Sequence, residues 1–159
     1  MTTSTSEEVV DGVATAAKVR GLRNNVLAGL VMLILEYGLG IWTNLYVNLP
    51  ASDKGKSTFA AFGGAVAHGP VSLTLHALLG TLLVLTAASV VVRAVLVRQT
   101  VLIIIGSVAL LAILAAWASG ARFVGHAANG ASFGMAIATG VAVLAYVTIL
   151  FIAIPTGKE

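Results

Sequence analysis

Four long apolar runs set the limits on what this chain can fold into. They lie at about residues 25–47, 71–92, 100–118 and 127–154. A helix needs about 20 apolar residues to cross the roughly 30 Å hydrocarbon core of a bilayer, and each run meets that length. The runs are continuous rather than alternating, and longer than membrane barrel strands of about 9–11 residues. Inside lipid, a helix satisfies its backbone polar groups within the segment. The expected fold class is therefore all-α: an integral membrane four-helix bundle, up-down-up-down.

Composition supports this and removes several function classes. Apolar residues make up 58% and charged residues 9% of the 159 positions, against about 45–50% and 25% in soluble domains. The chain contains no cysteine, which excludes a disulfide scaffold, thiolate metal sites and cysteine nucleophiles. The net charge is only +3, and the basic residues are scattered. No nucleic-acid partner is expected.

The first run follows a polar segment, residues 1–24, that reads as a flexible tail. Lys18, Arg20, Arg23, Arg93, Arg98 and Lys158 fall on one side of the bundle; Lys54, Lys56 and Arg122 fall on the other. Positive residues favour the cytoplasm. This predicts a multi-pass protein of the cell membrane with both termini cytoplasmic, residues 155–159 included. The link between the second and third spans is short, and a second short link is expected around Gly120–Gly125. Only the outer loop, residues 48–70, is long. Asn48-Leu49-Pro50 should end the first helix, and Thr58–Ala67 reads as a helix or re-entrant piece over the outer mouth.

Polar residues inside a span are costly and tend to mark function. Glu36 is near the middle of the first span, on a face with Gly29, Leu33, Gly40 and Thr43. A carboxylate there must be protonated or paired, as a proton relay, a partner of a histidine or a structural tie. His76 lies six residues into the second span, about 8 Å deep at 1.5 Å per residue. It shares a face with Gly80, which leaves room for a flat ring. His126 heads a similar row with Gly130, Gly134 and Ala138. Two imidazoles on facing helices can ligate heme iron axially, with Arg122 placed to meet a propionate. The same rows also suit small-residue helix packing, with Arg122 a headgroup anchor. His68, in the loop before Pro70, is the alternative metal ligand.

Histidines on the second and fourth helices of a four-helix membrane bundle resemble the four-helix half of heme A synthase, and membrane b-type cytochromes more broadly. The most similar stretch is Leu75-His76-Ala77-Leu78-Leu79-Gly80. The resemblance implies heme b between His76 and His126, beneath an outer-loop helix. That family has two fused halves and a carboxylate close to the histidine. Here there is one half, with Ser72 and Leu73 in the turn before His76, so heme binding carries over and heme A synthesis does not.

The leading expectation is a heme-b-binding membrane protein in electron transfer or heme handling, with no catalytic residue assigned. The other two are a non-catalytic accessory subunit of a larger membrane complex and a proton-coupled carrier using Glu36 and the histidines. The partner classes are the lipid bilayer, a membrane redox partner or larger complex, and a second copy of the chain.

Overall fold

The computed structural model describes residues 3–48, 54–126 and 129–154. They form five helices: α1 Thr3–Tyr46, α2 Thr58–His68, α3 Val71–Val97, α4 Thr100–His126 and α5 Asn129–Ile152. No strand occurs among the described residues. The four long helices are each apolar and long enough to cross a membrane, and they pack in a ring, α1 on α3, α3 on α4, α4 on α5 and α5 on α1. The chain is a multi-pass membrane protein built as an up-down-up-down bundle.

Side-chain size decides which face turns inward. The buried positions of α3 include Leu83, Ala87, Val90 and Ala94, and those of α4 include Leu102, Gly106, Ala109 and Ile113. Both rows step by alternating threes and fours, the knobs-into-holes spacing of left-handed bundles. Many of these residues are small and let backbones approach closely, whereas Ile34, Leu35, Leu85, Leu111 and Leu144 are exposed. Large apolar groups on the outer surface, with alanines and glycine among the larger residues of the core, suit a lipid surrounding, because burying leucine from lipid gains little. The scattered hydroxyls bond within their own helices: Thr81 donates to Ala77 O, Thr86 to Leu82 O, Thr139 to Met135 O and Thr148 to Leu144 O. At the end shared by the start of α1 and the end of α5, Arg23 donates to Ala153 O at 3.0 Å, and Asn25 donates to Ser89 Oγ.

Two boundaries differ from those expected. Residues 3–24 are helical and continuous with the first span. No proline interrupts them, and Val19 and Leu22 are buried in the bundle core, so packing begins before Asn25. Met1 and Thr2 lie outside the described residues. The third span does not stop at Ala118. Gly120 is no turn residue: it sits within α4, where a Cβ would meet Met135 Sδ at 3.4 Å. Its small size serves the approach of α4 to α5, and the helix runs on to His126. α5 begins at Asn129, and residues 127–128 lie outside the described residues.

The long connection between α1 and α3 holds a helix, as its apolar half suggested. α2 packs on α3 and α4 through a small cluster of Ala61, Ala65, Leu73 and Val124. Thr74 Oγ1 donates to Ala65 O at 3.0 Å, and Gly55 N to Gly125 O at 2.8 Å. Gly69 joins α2 to Pro70, and a Cβ there would run into the Ala65 carbonyl oxygen. α1 ends at Tyr46, four residues before Pro50, which itself lies outside the described residues.

Candidate ligand-binding cavity

Beneath α2, on the roofed half of the bundle, α1 and α3 carry matching patterns: Glu36 and Gly40 on one, His76 and Gly80 on the other. The helices run antiparallel, so each glycine faces the other helix's polar residue. A Cβ on Gly40 would lie 3.0 Å from the His76 ring, and one on Gly80 would lie 3.0 Å from Glu36 Oε1. The two glycines let a carboxylate and an imidazole sit between helices where larger residues would leave no room.

His76 Nδ1 lies 2.9 Å from Glu36 Oε1, with the side chains only 17% and 13% exposed. The distance is that of an ion pair, but the ring N–H is not aligned for a hydrogen bond, and Glu36 Oε2 is buried with no partner among the described residues. An ionised carboxylate alone at this depth would be strongly disfavoured. Side by side, the carboxyl and the imidazole offer the cavity both a hydrogen-bond acceptor and a donor.

Both residues line a cavity of about 190 Å³. Trp117 forms another wall. Its indole N–H donates to Thr81 Oγ1 at 3.2 Å, and its ring lies 5.0 Å from that of Phe62 and 6.2 Å from that of Phe59. The roof helix is thus tied to the cavity wall through aromatic contacts. Met135, Ser132 and Thr139 of α5 complete the lining.

The Glu36 face turns inward as expected: Gly29, Leu33 and Thr43 are all buried. His76 also reaches the cavity. His126 does not. It is the last residue of α4, exposed, and absent from the lining. Its row with Gly130, Gly134 and Ala138 is not one helical face, because His126 belongs to α4 and the other three to α5. Gly130 is exposed with open space around it, and Arg122 and His68 are exposed. The space beside Gly80 is filled by the Glu36 carboxylate rather than left for a flat ring.

Heme between His76 and His126 therefore does not fit these residues. The cavity is also smaller than the roughly 300–1,000 Å³ of ordinary ligand pockets. Among the described residues no three His, Asp or Glu side chains gather as a metal site. Sequence reasoning missed Trp117 and Met135 as lining residues, and Thr81 as the acceptor that holds the indole, since nothing local marks them. The matched glycines, each four residues after Glu36 and His76, were the available signal for that pairing. No protein-family model, curated protein or solved structure matches the chain.

Proposed function

We propose that this chain is a binding protein of the cell membrane, with both termini in the cytoplasm, that holds a small lipid-soluble ligand bearing a polar group. The observation that carries this reading is the Glu36–His76 pair on the wall of an apolar cavity roofed by α2. The cavity wall supplies apolar contact, and the pair supplies one acceptor and one donor in a low-dielectric setting where each counts for more than in water. A roofed cavity with few convergent polar groups is the usual form of a small-molecule site. No substrate is transformed in this reading, and the chain acts as a receiver, carrier or reporter of its ligand.

The two tryptophans, Trp42 and Trp117, make the test simple. Trp42 is 57% exposed, and Trp42→Phe leaves Trp117 as the sole indole. 4-Bromophenol, one ring with one hydroxyl and a heavy-atom quencher, is titrated into that protein in mild detergent. Saturable quenching is expected, and Ala116→Phe, which fills the cavity from α4, should abolish saturation. Quenching that rises linearly and equally in both proteins overturns the reading. A Soret band in protein made with ample heme, lost on His76→Ala, would overturn it in favour of a heme site.

A further inference from the structure

Among the described residues the roof covers only part of the cavity, and that has chemical consequences. α2 packs on α3 and α4, and among the described residues it makes no comparable packing with α1 or α5. On that uncovered side, Tyr37 and Ile41 of α1 line the cavity while 53% and 43% exposed. Asn44 of α1 and Ala136 of α5 also line it while exposed. A residue that both lines a cavity and faces the surroundings marks an opening. The opening therefore lies between the roofed ends of α1 and α5, at the depth of lipid. Towards the other end the same two helices are closed by Gly29 against Tyr146 and by Arg23 on Ala153 O.

Size and polarity narrow the occupant. A buried apolar cavity of roughly 150 Å³ takes up one benzene, so about 190 Å³ suits one substituted six-membered ring and no macrocycle. Trp117 offers an aromatic wall for stacking or edge contact. The Glu36–His76 pair places a carboxyl and an imidazole on the wall, which between them present a donor and an acceptor. Such a pair matches a ring oxygen that itself exists in two forms, as a carbonyl acceptor and as a hydroxyl donor. The lateral opening gives a long apolar tail a way out into lipid.

We infer that this cavity takes the headgroup of a membrane-dissolved quinone and of its quinol, with the tail leaving between α1 and α5. The inference rests on the binding reading above and concerns recognition, with no bond made or broken. Glu36, as carboxylate, accepts from the quinol hydroxyl. His76, as imidazolium, or Glu36, as acid, donates to the quinone carbonyl.

The test uses decylubiquinone and decylubiquinol as competitors of 4-bromophenol on the full-length Trp42→Phe protein. Both forms should compete with the phenol, shifting the midpoint of its quenching curve to higher phenol concentration while saturating phenol still reaches the endpoint seen without competitor. Glu36→Gln replaces the charged acceptor by a neutral amide that still accepts and also donates. It should weaken the quinol about tenfold and the quinone by less than about threefold, as expected when a charge-assisted bond becomes a neutral one in one form only. His76→Leu should weaken both. Helical circular dichroism checks each variant, and Ala116→Leu serves as cavity-filled control if Ala116→Phe does not fold. If the phenol binds saturably while neither quinone form displaces it, the quinone inference fails and the binding reading stands. If Glu36→Gln weakens both forms equally, the two-form recognition fails. If the phenol does not saturate, both fail.

Discussion

A methyl group added at Gly29 would meet the Tyr146 ring at 2.7 Å, whereas at Gly140 it would meet nothing within 4 Å. The two substitutions to alanine change helix propensity in the same direction, so their difference isolates packing. Tyr146 is fully buried and has no slack to yield. Gly29→Ala should destabilise the bundle by about 1–3 kcal/mol. Gly140→Ala, mid-helix in α5, should stabilise it by roughly 0.5–1 kcal/mol. Thermal unfolding in one detergent, followed by circular dichroism, compares the pair. At the cavity, Gly40→Leu should displace the His76 ring and remove saturable 4-bromophenol binding, since a Cβ already stands 3.0 Å from that ring. Unchanged binding in a folded Gly40→Leu protein would contradict the tight seat described for His76.

Helix ends carry the next set of consequences. α3 closes on Arg98, in the left-handed region at φ 60° and ψ 29°, its N–H bonded to the carbonyls of Ala94 and Val95. Left-handed backbone costs a side-chain-bearing residue roughly 1–2 kcal/mol, which glycine escapes. Arg98→Gly should raise the unfolding midpoint, the gain trimmed by the greater freedom of glycine in the unfolded chain. A lower midpoint would show that the Arg98 side chain contributes more than the cap costs. Gly69→Ala should do the reverse, prising α2 from Thr74 and exposing the roof segment to protease. The spans and the roof helix were legible in the sequence because hydropathy and run length govern them directly. The end of α4 was not. Ser119-Gly120-Ala121-Arg122 has the composition of a turn, and only the neighbouring Met135 reveals that Gly120 serves close packing. That one misjudged glycine carried His126 from the head of α5 to the tail of α4, and with it the two-histidine site.

At the level of the whole molecule, four spans place the start of α1 and the end of α5 on one side, and α2 on the other. Single cysteines at Ser4 and Ser57, in a chain without native cysteine, should be labelled from opposite sides of the membrane. Ser4 should react from the cytoplasmic face. Labelling of both from one side would refute the topology, and Ser57 alone from the cytoplasm would invert it. α1 is 44 residues long, about 66 Å at 1.5 Å per residue, or roughly twice the bilayer core. The sequence flagged Glu36 and His76 separately, as intramembrane polar groups, yet their meeting depends on the register of α1 against α3, which no local pattern fixes. Because the helices are antiparallel and each polar residue faces the other's glycine, a half-turn about an axis between them nearly superimposes one strand of the motif on the other. The site is therefore close to ambidextrous. Exchanging its occupants, Glu36→His with His76→Glu, should keep the couple joined and the ring of 4-bromophenol bound, while either change alone sets like beside like and empties the cavity of its recognition.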